Sequence, residues 1–103
     1  MEETVTGRVA GKVVLVTGGG SGIGRAIAAT YAAAGAQVFI CARHHDGIET
    51  ALGDIRRGAA TIEGISGDIA NPRDVERIVE QALERFGAID ILVNNASILG
   101  PRQ

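Results

Sequence analysis

The sequence predicts an α/β fold, a doubly wound parallel sheet assembled in the order β-α-β-α-β-α-β. Three observations carry that prediction. Short β-branched apolar runs alternate with helical patterns of about 10–15 residues, as strands joined by crossover helices do. The first run turns directly through a cluster of glycines into an alanine-rich helical segment. The composition supports one modest core: of 103 residues 46 % are apolar but 3 % aromatic, so aliphatic side chains and alanine must fill it. Right-handed crossovers restrict the topology, and with the glycine turn they give the expected strand order 3-2-1-4.

Residues 1–11 are polar, end in Gly11 and read as a loose lead-in to a folded domain at 12–103. Strand one is 13–17. Helix one runs from 22 to 34, with Ile23, Ile27 and Tyr31 as its apolar line, Ala26 and Ala33 beside them, and Gly35 as its C-cap. Strand two is 37–41, followed by a polar segment from 42 to 47. Helix two carries Ile48, Ala51, Leu52 and Ile55 at the spacing of one buried face and closes at Arg56, Arg57 and Gly58. Strand three is 60–65, interrupted by Gly64.

Asn71-Pro72-Arg73-Asp74 marks a helix start. Asn71 caps, Pro72 suits the first helical position, and Asp74 complements the dipole. Val75, Ile78, Val79, Ala82, Leu83 and Phe86 then form the clearest amphipathic stripe, which Gly87 ends. Strand four is 89–93, and Gly100-Pro101 marks a turn. No segment is of low complexity, and only the βα unit repeats.

The stretch from Thr17 to Gly24 concentrates the chemistry. A strand that turns through glycines into a helix holds a phosphate: the backbone comes close, and free N–H groups and the helix dipole face the anion. The spacing Gly18-x-x-x-Gly22-x-Gly24 is neither Gly-x-Gly-x-x-Gly nor a P-loop, since no Gly-Lys-Ser/Thr follows and Lys12 lies before the strand. Gly18 begins the turn, Gly22 lets a pyrophosphate approach, and Gly24 lets the helix sit close to the sheet. A purely connecting loop needs fewer glycines.

Arg43 follows strand two, where dinucleotide folds meet the adenosine ribose. An acid there binds a 2′-hydroxyl, whereas Arg accommodates a 2′-phosphate. The segment Cys41-Ala42-Arg43-His44 offers no acid, which favours NADP(H) over NAD(H). Asp46 keeps NAD(H) open if the tip is one turn longer, and a solvated loop arginine is the plain alternative. Cys41, His44 and His45 lack a fourth ligand at zinc-like spacing, so no metal is expected.

Thr17 to Gly24 resembles the cofactor loop of the short-chain dehydrogenases/reductases, and Asn94-Asn95-Ala96 resembles that family's second hallmark. The resemblance spans about Gly11 to Gly100. It implies a Rossmann-type sheet with the cofactor held by Thr17, Gly18, Gly20, Ser21, Gly22, Ile23 and Gly24. By the same resemblance Asp68 accepts from the adenine amine and Ile69 packs on the ring, while Asn94, Asn95 and Ala96 contact the cofactor at the end of strand four. A turn aspartate and a turn-stabilising asparagine pair are the structural alternatives. Ser97 departs from the family, which has Gly there.

The family's chemistry rests on Tyr-x-x-x-Lys, with Ser and Asn, well beyond this point. Here Tyr31 is followed by Ala32-Ala33-Ala34-Gly35, and no catalytic residue is assigned. The expectation is therefore a truncated Rossmann-type domain: the cofactor-binding half of an NAD(P)(H)-dependent oxidoreductase that reduces a carbonyl or oxidises an alcohol. The alternative is a non-catalytic dinucleotide-binding module or remnant. A methyltransferase-like fold, the third reading, wants an acid where Arg43 stands. A small carbonyl or alcohol is the expected substrate of a full-length form, and a homo-oligomer is compatible with one.

Composition excludes other classes. A net charge of −2 gives no electrostatic case for nucleic acid or an anionic membrane surface. The single cysteine, Cys41, excludes an internal disulfide and fits a reducing compartment, and the acidic start Met-Glu-Glu-Thr is not a signal peptide. With no apolar run long enough to span a bilayer, the expected location is cytoplasmic.

Overall fold

The computed structural model describes residues 9–20, 22–56 and 61–95. Strands β1 (Val13–Thr17), β2 (Gln37–Ala42), β3 (Ile62–Ser66) and β4 (Ile91–Asn94) alternate with helices α1 (Gly22–Ala33), α2 (His45–Arg56) and α3 (Pro72–Phe86). All five residues of β1 are buried, as a strand covered on both faces requires. The strands form one parallel sheet of order β3-β2-β1-β4, the order expected from the sequence. Val14 stands opposite both Val38 and Ile91, and Val38 opposite Ile62. No helix among the described residues is long and apolar enough to cross a membrane.

Alternation along the strands divides the core. Val14, Val16, Val38, Ile40 and Ile62 meet the α1 and α2 side, where Ala28, Ala32, Ile48, Ala51 and Leu52 complete the layer. Leu15, Phe39 and Cys41 face the other way, onto Ile78 and Ala82 of α3. Phe86 meets Phe39 edge-on, with ring centroids 6.3 Å apart and planes at 84°. The crossover helices therefore change faces between β3 and β4. That change opens a crevice at the carboxyl ends of β1 and β4, where ligands bind in such sheets.

The start of α3 follows its sequence signals. Asn71 stays extended, and its side-chain oxygen accepts from Arg73 N at 2.9 Å and Asp74 N at 3.3 Å. Gly87 closes the helix at φ 82°, its N–H donating to Leu83 O at 2.7 Å.

Several elements differ from the sequence expectation. The buried line of α1 is Gly24, Ala28 and Ala32, not Ile23, Ile27 and Tyr31. Ile27 and Tyr31 pack at the margin, and Ile23 is 73 % exposed. Small residues let the helix lie close to the sheet, which turns the larger ones aside. Helix α2 begins at His45, inside the segment expected to be polar loop, because its first turn carries solvent-facing residues ahead of Ile48. Gly64 does not interrupt β3: a Cβ there would stand 2.6 Å from Ile40 Cγ1 and 2.8 Å from Ile40 O, so only glycine lets the strands close at that point. Strand β4 starts at Ile91, because Asp90 precedes the ladder; its N–H donates to Val13 O at 2.9 Å, and its carboxylate accepts from Val13 N at 2.8 Å. Of the α3 stripe only Ile78 and Ala82 are buried, and Val75 and Leu83 are exposed, as is Leu92 of β4. Gly58, Ala60, Gly100 and Pro101 lie outside the described residues.

Candidate functional site

The glycine turn leaves β1 at the crevice and bends twice. Gly18 takes φ 69° and Gly22, the first residue of α1, φ 58°, both in the left-handed region that glycine enters freely. The turn closes so tightly that a Cβ on Gly24 would run into the Gly18 carbonyl and stand 2.6 Å from Asn95 Nδ2. Gly20 borders the end of β2: a Cβ on it would stand 3.2 Å from Ala42 Cβ. The result is a turn in which Gly18, Gly20, Gly22 and Gly24 present backbone without side chains, at the N-terminus of a 12-residue helix with no acid in its first turn. Such a donor set fits a diphosphate. Gly19 serves the scaffold instead, its N–H donating to Cys41 O at 3.1 Å. Ser21 lies outside the described residues.

Thr17 and the two asparagines are brought together as a clip between β1 and β4. Thr17 is 7 % exposed. Its hydroxyl faces Asn94 Oδ1 at 3.1 Å and Val93 O at 3.4 Å, and accepts from Asn95 N at 2.9 Å. Asn95 Nδ2 reaches across to Gly18 O at 3.4 Å. The structure therefore gives Thr17, Asn94 and Asn95 a scaffold role at the turn. Ala96 is outside the described residues.

The sequence reading gave Cys41 no part in the site, yet it holds the turn twice. Its carbonyl takes Gly19 N–H, and the Gly18 backbone N–H hydrogen-bonds its thiol. Burial pushes that thiol up to about 11, against the opposing pull of the Gly18 bond. Nothing in the sequence distinguishes Cys41 from an ordinary core cysteine. Arg43, two residues on, is exposed at the tip of β2.

Asp68 and Ile69 sit in the loop between β3 and α3. Gly67 N–H donates to Ala42 O at 2.8 Å, which places this loop beside the tip that carries Arg43. Asp68 Oδ1 accepts from Ala70 N at 2.9 Å, and Asp68 N–H donates to Asp74 Oδ2 at 2.9 Å. The Asp68 amide holds the Asp74 carboxyl below the usual carboxylate range, helped by Arg77. Ile69 lines a cavity of about 250 Å³ together with Leu15, Thr17, Cys41, Leu92 and Asn94. A larger hollow of about 490 Å³ runs between α1 and α2 along Ala26, Ala29, Ala33 and Ile55, and among the described residues its charged lining is the Arg25–Asp54 ion pair. Among the described residues no group of three or more His, Cys, Asp or Glu is placed to hold a metal.

Comparison with known proteins matches this architecture. The family model described as short chain dehydrogenase covers residues 12–103. A Streptomyces violaceoruber protein named as a ketoacyl reductase of the granaticin polyketide synthase is 42 % identical over 91 % of this chain and 35 % of its own length. The crystal structure of an actinorhodin polyketide ketoreductase variant with NADPH superposes with TM-score 0.83 at 39 % identity, covering 84 % of this chain and 33 % of that one. The C-domain of a bacterial malonyl-CoA reductase, crystallised with NADP, gives TM-score 0.86 at 32 % identity over 95 % of this chain and 16 % of that one. The chain thus spans about a third of the length of the curated relatives it matches first.

Proposed function

Since the chain belongs to the short chain dehydrogenase family, we propose that it supplies the dinucleotide-holding part of an NAD(P)(H)-dependent oxidoreductase. It takes NADP(H) in preference to NAD(H), in the service of carbonyl reduction or alcohol oxidation on a small molecule. Residues 12–103 act as a Rossmann-type nucleotide domain, with 1–11 as a lead-in. The observation that carries the reading is the glycine turn at the end of β1, closed until Gly24 has no room for a Cβ and leading into the start of α1.

In this proposal Gly18 turns the chain toward the diphosphate, which the backbone of Gly20, Ser21, Gly22, Ile23 and Gly24 receives. Arg43 takes the 2′-phosphate, Asp68 and Ile69 the adenine, and Asn94, Asn95 and Ala96 border the cofactor over β4, with Thr17 tying β4 to the turn. A bound dinucleotide would supply the hydride for carbonyl reduction or take it up in alcohol oxidation; this chain's residues bind it, orient it and hold its diphosphate against backbone amides. Support comes from the NADPH and NADP named for two matching structures.

Calorimetric titration with NADPH, NADH and S-adenosylmethionine tests the reading. NADPH should bind more tightly than NADH, and S-adenosylmethionine should give no heat. Arg43→Ala should weaken NADPH by about tenfold, the loss of one charge-assisted contact, and NADH hardly at all. Folded protein that ignores both nicotinamide nucleotides at millimolar concentration refutes the function, and equal losses for both nucleotides refute the role of Arg43.

A further inference from the structure

We propose that Asp74 is a positioning residue for the adenine side of the site: from the first turn of α3 it fixes the 67–71 loop that carries Asp68 and Ile69. This inference rests on the nucleotide-binding reading above and adds a residue to it. The loop is built between two supports. At one end Gly67 N–H is held by Ala42 O at 2.8 Å, at the tip of β2. At the other, Asn71 caps α3 through Arg73 N at 2.9 Å and Asp74 N at 3.3 Å.

Between those supports the loop's amides are taken up in turn. Ala70 N–H donates to Asp68 Oδ1 at 2.9 Å, and Asn71 N–H donates to Asp68 O at 2.9 Å. A carboxylate at the third helical position ordinarily reaches back to the N–H of the capping residue. Here that N–H belongs to Asp68 O, so Asp74 Oδ2 reaches three residues further and accepts from Asp68 N at 2.9 Å. Arg77 braces the same cluster: Nη2 stands 3.4 Å from Asp74 Oδ1 and donates to Ser66 O at 3.0 Å. Removing Asp74 leaves Asp68 N–H without its acceptor and unties the loop from α3 at its centre. Asp68 and Ile69 then sample other positions, and affinity falls with the fraction of chains that keep the competent one.

The test measures 2′,5′-ADP, which carries the adenine end of the cofactor, and inorganic pyrophosphate, which does not. The 103-residue chain and its Asp74→Ala and Asp74→Asn variants are titrated at a temperature where circular dichroism shows each folded. Asp74→Ala should weaken 2′,5′-ADP by about tenfold, as a competent fraction of about one tenth implies, and leave pyrophosphate unchanged. Asp74→Asn keeps an acceptor oxygen and should restore most of the affinity. The Asp68 amide should exchange its hydrogen faster in Asp74→Ala, with the α3 interior unaffected. Equal 2′,5′-ADP affinity in wild type and Asp74→Ala overturns the inference and leaves the nucleotide reading standing. So does a parallel loss for both probes, which marks general destabilisation. A wild-type chain that binds neither NADPH nor 2′,5′-ADP overturns the nucleotide reading and this inference with it.

Discussion

Adding one methyl group at Gly24 tests the geometry on which the site depends. In Gly24→Ala the new Cβ would overlap the Gly18 carbonyl and approach Asn95 Nδ2 to 2.6 Å. Neither neighbour yields easily: one is backbone, and the other is tied to it at 3.4 Å. Forced overpacking of this kind costs about 1–3 kcal/mol. The Asn95–Gly18 bond must also break or stretch, for about 0.5–1.5 kcal/mol more. Alanine in a helix recovers about 1 kcal/mol of that. The net expectation is a loss of about 0.5–3.5 kcal/mol, at about 4–8 °C of Tm per kcal/mol for a domain this size. Gly53→Ala is the matched control, since it makes the same chemical change on α2 with nothing within 4 Å of the added Cβ. It should gain about 0.5–1 kcal/mol. Urea melts of both variants, followed by NADPH titration, separate the cases: Gly24→Ala should lose stability and affinity together, Gly53→Ala neither. If Gly24→Ala melts with the wild type and binds as well, the close approach of turn and helix is not what shapes the site.

Two further outcomes follow from the same region. Thr17→Val removes the hydroxyl that accepts from Asn95 N, strands a partly buried donor and should cost about 1–3 kcal/mol, whereas Thr17→Ser keeps the hydroxyl and most of the stability; equal melts for the two would refute the clip. The Cys41 thiol, raised from 9.0 to about 11, favours the protonated form in the folded state. Its contribution is therefore whole below pH 9.0 and lost as pH rises toward about 11. At about 1.4 kcal/mol per unit, the loss should reach about 2–3 kcal/mol. Urea midpoints between pH 8 and 11 should fall more steeply for wild type than for Cys41→Ala, and parallel curves would remove the assignment.

The sequence carried local information well and distant information poorly. Val13 to Val16 read as a buried strand because a β-branched run has few other uses, and Asn71-Pro72 marked a helix start because capping is decided within three residues. The face of α1 was misread for a physical reason. Alanine and glycine leave little hydrophobic signal, so Ile23 stood out, although the helix approaches the sheet through Gly24, Ala28 and Ala32. Gly64 looked like a defect because its reason, Ile40, lies on another strand. The clip from Thr17 to Asn94 joins residues 77 apart, a separation over which no periodicity speaks. Asp74 was legible as a helix-start acid but not as the acceptor for Asp68, since that depends on Asn71 N–H being engaged elsewhere.

These ties explain how the first glycines of the turn are held in place. A glycine-rich turn has more conformational freedom than any other stretch of chain, and ordering it on binding would consume most of what an anion contributes. Here the ordering is done in folding. Cys41 fixes Gly18 and Gly19 from β2, Asn95 fixes the Gly18 carbonyl from just past β4, and Thr17 locks β4 to β1 beneath them. Each anchor sits on, or one residue beyond, a different strand of the same sheet, so Gly18 and Gly19 are tied to the sheet itself. Site and core are then one cooperative unit. Variants that weaken an anchor should lower nucleotide affinity by the same factor by which they lower the population of the closed turn, even where the altered residue never touches the ligand.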